Sequence, residues 1–84
     1  MVKPIKNNHT VTERKLGRHK AVGLAYEDGS IEVDPRQSPR EYLLTLIHER
    51  LHVMFPDWGE KKIAKAERDL GGFLWDNNCR IVNQ

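Results

Sequence analysis

The chain has 84 residues, 14 basic and 12 acidic side chains for a formal net charge of +2, and one cysteine. That length suits one small domain with a modest core, and a single cysteine excludes an internal disulfide as its staple, which leaves a metal or a partner chain. The mild charge does not call for nucleic acid or an anionic membrane as partner, and no apolar run reaches the length of a membrane span.

Residues 1–8 are polar and are expected to be poorly ordered. They lack the apolar centre of a signal peptide, so the reading is an intracellular, cytoplasmic protein. The segment Glu13 to Lys20 is basic but carries no interleaved aromatics. It reads as a solvated loop or strand edge rather than a nucleic-acid contact. Ala21 to Tyr26 reads as a strand, Glu27-Asp28-Gly29-Ser30 as a turn, and Ile31-Glu32-Val33-Asp34 as a half-buried return strand. Val11 to Lys15 adds a third, shorter strand, giving a hairpin or short antiparallel sheet.

Ser38-Pro39-Arg40-Glu41 then opens a helix. Ser38 caps the free amides, Pro39 suits the first helical position, and Glu41 completes a capping box. The helix is expected from Pro39 to about Met54, with Leu44, Ile47, Leu51, Met54 and Phe55 as its apolar stripe. Pro56 disfavours helical geometry at Phe55 and breaks it. A second helix follows from about Trp58 to Trp75, with Glu60, Ile63, Ala64, Glu67, Leu70, Gly71 and Leu74 inward. The short connection makes the two helices antiparallel. Asp76-Asn77-Asn78 ends the second helix, and Cys79-Arg80-Ile81-Val82 reads as a short extended piece. The fold class is α+β, a hairpin or short antiparallel sheet packed on two antiparallel helices, in a single domain over residues 1–84.

The most informative feature lies on the first helix. His48-Glu49-Arg50-Leu51-His52 reads H-E-x-x-H. Histidines four residues apart share one helix face, so both imidazoles can grip one zinc ion. Glu49 lies about 100° further round the helix. That keeps it off the metal yet near a water, where it can act as general base.

A catalytic zinc usually has three protein ligands. The second helix offers Glu60 and Glu67, which lie about 10 Å apart along its axis and so cannot both bind one ion. His52 stands about 3 Å from the end of its helix and Glu60 about the same distance into the next, whereas Glu67 lies about 13 Å in. Height therefore favours Glu60 as the third ligand, with Glu67 the alternative. Whichever does not bind can orient a histidine. Asp57-Trp58-Gly59-Glu60 also fits a capping pattern, which competes for Glu60. Cys79 reads as a packing residue.

On these residues the chain resembles the short zincin-like metallopeptidases of the Glu-zincin kind, including compact versions from bacteriophage genomes. The matching stretch runs from Gly29 to Trp75. Its core is Leu46 to His52, followed by Glu60-Lys61-Lys62-Ile63 and Phe73-Leu74-Trp75. The resemblance implies a small zincin-like domain with His48 and His52 as zinc ligands, Glu49 as catalytic base and Glu60 as third ligand. Metzincins are a poor match, because no third histidine follows at their spacing.

The expected function is zinc-dependent hydrolysis of a peptide bond in a peptide or protein substrate, with Zn2+ as cofactor. Tyr26 and His19 are candidate oxyanion donors. The alternative is a zinc-stabilised protein-binding module without proteolytic activity. Such a site closes its fourth position with another Cys or His, for which Cys79 is the one candidate. Nucleic-acid binding through Arg14 to Lys20 is a weaker third reading, and no membrane partner is expected.

Overall fold

The computed structural model describes residues 8–17 and 21–79. Three strands, β1 (Val11–Glu13), β2 (Gly23–Ala25) and β3 (Ile31–Val33), precede two helices, α1 (Pro39–Met54) and α2 (Glu60–Asp76). The α+β class expected from the sequence is the one observed.

β2 and β3 form the hairpin, antiparallel with Leu24 opposite Glu32. Gly29 takes φ 91° at the turn, a value that favours glycine, and its amide donates to the Tyr26 carbonyl at 2.9 Å. The Asp28 carboxylate accepts from the Ser30 amide and hydroxyl and locks the bend.

The sheet is mixed, not antiparallel. Its order is β1-β3-β2, and β1 runs parallel to β3 with Val11 opposite Ile31. β3 takes the centre because it alone offers two buried apolar side chains, Ile31 and Val33, whereas β1 is exposed throughout. A parallel neighbour needs a crossover rather than a tight turn. The crossover is pinned by Leu16, which is fully buried and whose amide donates to Asp34 Oδ2. Arg36 grips the same carboxylate at 2.7 Å, and these bonds hold Asp34 well below the usual carboxylate range. Residues 18–20 of the basic segment lie outside the described residues, and Arg14 is paired with Glu32 on the exposed sheet face.

α1 begins as expected. The Ser38 side chain accepts from the Glu41 amide, and Glu41 takes the Ser38 hydroxyl in return. Its apolar pattern differs from a single stripe. Tyr42, Leu43, Thr45, Ile47 and Leu51 are buried, while Leu44 is half-buried and Met54 is exposed. The reason is that α1 is the middle layer. Leu43, Ile47 and Leu51 pack with Ile63 of α2, and Phe55, Trp58 and Trp75 close that cluster. On another face Tyr42 packs with Ile31 and Val33, joined by Leu46 and Val53. The expectation that the sheet packs on both helices is thus corrected: the sheet lies on α1, and α2 lies against another side of α1.

α2 starts at Glu60, later than the expected Trp58. Gly59 is its N-cap, with no side-chain cap bond, so the capping role considered for Glu60 is not realised. Of its expected inward face, Ile63 and Gly71 are buried, but Leu70 is 43% exposed. Gly71 lets Leu44 approach: a Cβ there would stand 2.3 Å from Leu44 Cδ2. At the other end Asn78 turns left-handed, with φ 62°. The amides of Asn78 and Cys79 bond back to the carbonyls of Trp75 and Leu74, which closes the helix where expected. The expected extended piece at Cys79–Val82 falls beyond the described residues, except for Cys79 itself. Residues 1–7 also lie outside them, whereas Asn8 is tied to α1 because its carbonyl accepts from Arg50. Among the described residues no helix is long and apolar enough to cross a membrane.

The Tyr42 hydroxyl donates to Glu13 at 2.6 Å and clasps β1 to α1. Burial, and then this bond, push its pKa up to about 12. The folded state holds the neutral phenol, so the contribution is complete below the unfolded value of about 10 and is lost as pH rises towards 12. Tyr42→Phe is expected to cost about 1 kcal/mol in urea unfolding at neutral pH. It should also flatten the loss of stability above pH ~10. Unchanged unfolding at both pH values would show that the clasp carries no weight.

Candidate metal centre

The site lies on the flank of α1 that neither core covers. His48, Glu49 and His52 occupy it, with α2 on one side and β2 on the other. Three contacts set the direction of the helix pair. His52 meets Glu60, His48 meets Glu67, and Leu44 meets Gly71, so α1 and α2 run antiparallel as expected.

His48 Nε2 and His52 Nε2 stand 3.2 Å apart, with their rings edge to face. The Glu60 carboxylate bridges them, Oε1 at 2.8 Å from His52 Nε2 and Oε2 at 3.3 Å from His48 Nε2. Two N or O ligands of one tetrahedral zinc lie roughly 3.3 Å apart, given metal–ligand bonds of about 2.0–2.1 Å. The separation of the two imidazole nitrogens matches an edge of such a tetrahedron, and the Glu60 carboxylate reaches both rings, with a different oxygen on each. One ligand atom from each of His48, His52 and Glu60 lies within 4.8 Å of the others. Three acceptor groups that converge in this way repel unless a cation, a proton or a metal, lies among them. The residues therefore fit a divalent metal by geometry and by donor chemistry.

Glu67 occupies a different place. Its Oε1 is 2.7 Å from His48 Nδ1, on the far side of the ring from the converging donors. With Nδ1–H donating to Glu67, the lone pair of His48 is directed through Nε2 towards His52 and Glu60. The two carboxylates thus take different places, Glu60 among the converging donors and Glu67 behind the His48 ring. The expectation that both lie on the apolar side of α2 needs correction. The Glu67 side chain is 20% exposed, but that of Glu60 is 73% exposed, because Glu60 is the first residue of its helix and projects past the end of the core.

Glu49 faces β2. Gly23 makes this possible, since a Cβ there would stand 2.6 Å from Thr45 Cγ2 and 2.9 Å from Glu49 Cγ. The backbone of β2 lies directly on the Glu49 side chain. This burial lifts the Glu49 carboxyl above the ordinary carboxylate range; His48 and His52 pull it back, and Glu60 and Glu67 add to the rise. A further pair fixes the strand. The Thr45 hydroxyl donates to Gln37 Oε1 at 2.6 Å, and Gln37 Nε2 donates to the carbonyl of Asp34 at 2.9 Å. Gly23, Thr45 and Gln37 were not singled out from the sequence, although a glycine inside a strand marks a close approach.

Two cavities flank Glu49. The larger, about 440 Å3, runs along β2 and includes Glu49, His52, Val53 and Pro56. The smaller, about 220 Å3, lies between Val22, Thr45, His48 and Glu67. Tyr26 does not aim its hydroxyl at the histidines. It donates to Glu32, which pairs with Arg14 on the exposed sheet face, so this candidate oxyanion donor is engaged away from the histidines. His19 lies outside the described residues. Cys79 is exposed, bonds only weakly to the Asn77 carbonyl, and is not part of the ligand group.

Comparison with protein-family models, with curated proteins and with solved structures found no match. The resemblance to short zincin-like metallopeptidases rests on the motif alone.

Gly23→Ala is expected to cost about 1–3 kcal/mol of stability, because the added methyl would overlap both Glu49 Cγ and Thr45 Cγ2, and the Thr45 hydroxyl is tied to Gln37. Urea unfolding checks this. A neutral result would mean that β2 lifts freely from Glu49.

Proposed function

We propose that the protein is a zinc-dependent peptidase-like hydrolase. His48, His52 and Glu60 would hold the metal, Glu49 would be the general base, and Glu67 would position His48. The observation that carries the reading is the convergence of His48 Nε2, His52 Nε2 and the Glu60 carboxylate beside Glu49, a half-buried carboxylate on the helix of the two histidines. Zinc in such a place supplies a Lewis acid that acidifies a water and polarises a carbonyl oxygen.

The remaining chemistry belongs to the side chains. Glu49 accepts a proton from the attacking water as its oxygen bonds to the carbonyl carbon. It returns that proton to the amine nitrogen as the C–N bond breaks. Burial under β2 raises its proton affinity and suits it to both transfers. Glu67 keeps the Nδ1 proton of His48 and so keeps Nε2 free to bind metal. β2 is an edge strand of the sheet, and the larger cavity runs along it. An extended peptide that paired with that edge would pass beside Glu49.

The binding-module alternative needs a fourth protein ligand to close the site. Among the described residues the ligand group has three members, and Cys79 is not one of them. This favours the hydrolase.

Elemental analysis should find about one zinc per chain in the wild type. Glu60→Ala should lose it. Glu67→Gln should keep the stoichiometry at saturating zinc but bind about 10–100-fold more weakly. Glu49→Gln should retain zinc and lose at least about 100-fold in peptide hydrolysis. A wild type that takes up no zinc when the metal is added back would overturn the reading. So would a Glu49→Gln variant as active as the wild type.

A further inference from the structure

Charge is distributed unevenly over this molecule. The chain carries a net +2, yet among the described residues no Lys or Arg lines either cavity beside Glu49. The basic side chains are elsewhere. Lys61, Lys62, Lys65 and Arg68 are exposed on α2. Arg14 is bound to Glu32 and Arg36 to Asp34. Apart from the histidines and the Tyr26 phenol, the ionisable groups of the cleft are carboxylates. Glu27 and Glu49 line the larger cavity, Glu49 and Glu67 the smaller, and Glu60 borders the histidines.

The larger cavity follows β2, lined in turn by Gly23, Leu24, Ala25, Tyr26 and Glu27. Gly23 marks the Glu49 end, and Glu27, in the hairpin turn, lies at most about 13 Å further along the strand. The lining between them is mostly apolar, with Leu24, Ala25, Val53 and Pro56 beside Tyr26 and His52. Its volume of about 440 Å3 falls within the usual range for a ligand pocket, roughly 300–1,000 Å3. Glu27 is exposed and, among the described residues, has no hydrogen bond or ion pair. An apolar trough that ends at an unengaged carboxylate matches one kind of side chain, an aliphatic stem that ends in a cation.

We propose that this cavity is a subsite for a lysine or arginine side chain of an extended peptide. The stem lies on Ala25, Val53 and Pro56, and the charged head sits at Glu27. The same field disfavours acidic residues beside the scissile bond. This inference rests on the reading of the cleft as a peptide site, but not on hydrolysis itself.

The test uses one peptide series that varies at a single position: lysine, norleucine and glutamate. Norleucine keeps the stem of lysine without its charge. Binding is measured by anisotropy of labelled peptide on zinc-loaded Glu49→Gln protein, and hydrolysis on the zinc-loaded wild type. At low salt the lysine peptide should bind about three- to five-fold more tightly than the norleucine peptide, the size expected for an exposed charge pair. The preference should shrink as salt is added. The glutamate peptide should bind most weakly. Adding Glu27→Gln should abolish the difference between lysine and norleucine, and Glu27→Lys should make glutamate the preferred residue. Equal or tighter binding of norleucine, a lysine preference that survives Glu27→Gln, or no binding of any peptide overturns the subsite. A Glu27-dependent lysine preference without wild-type hydrolysis supports the subsite and sinks the hydrolase reading. Hydrolysis without a lysine preference does the reverse.

Discussion

An 84-residue chain without a disulfide cannot build two independent cores, so α1 supplies both. Leu43, Ile47 and Leu51 serve the contact with α2, and Tyr42, Leu46 and Val53 serve the contact with the sheet. A helix used on two faces leaves a narrow flank between them. His48, Glu49 and His52 occupy that flank. The site is dry on the sides where α2 and β2 close on it and open along the seam, and both histidines are about one-quarter exposed. The fold thus places polar side chains at the border of two apolar clusters without burying any of them unpaired. Among the described residues, no buried side-chain N or O lacks a partner.

Three glutamates near the same pair of histidines have been given different surroundings, and the backbone accounts for each. Glu60 sits on the first residue of α2, beyond the core, so its carboxylate stays solvated and reaches both Nε2 atoms. Glu67 comes two turns later, where the helices are in contact, and is held against His48 Nδ1. Glu49 turns to the other side of α1 and lies under Gly23. Burial penalises the ionised form of Glu49 more than the nearby imidazoles favour it, so its proton affinity rises. Like-charged neighbours are tolerated because they approach the histidines from different directions.

Much of this was legible in the residues. The Ser38 cap, Pro39 and Pro56 bound α1 to within a residue, because capping chemistry and proline geometry are local. The rise per residue put Glu60, rather than Glu67, level with His52, and Glu60 is the carboxylate that reaches both Nε2 atoms. What stayed hidden depends on tertiary context. The parallel pairing of β1 is decided by which strand is apolar enough for the centre and by the anchoring of Leu16 to Asp34, some eighteen residues away. The exposure of Glu60 was misjudged because a helical periodicity does not reveal where the neighbouring layer stops. Leu43 and Tyr42 were overlooked as core because the expectation of one apolar stripe assumes one packing partner.

The ligand set also bears on stability. In the proposed reading its members come from the last turns of α1 and the start of α2, on either side of the short Phe55–Gly59 connection. A metal held there would fasten the two helices alongside their shared apolar contact, beside Leu51 and Ile63. Binding to the folded state alone would add about 2.7 kcal/mol at a free metal concentration 100 times the dissociation constant. Against a total of roughly 5–15 kcal/mol for a typical domain, that is a large share. The geometry that would make a metal reactive, two helices presenting donors across an open seam, is therefore also one that would let it take the place of the disulfide this chain does not have.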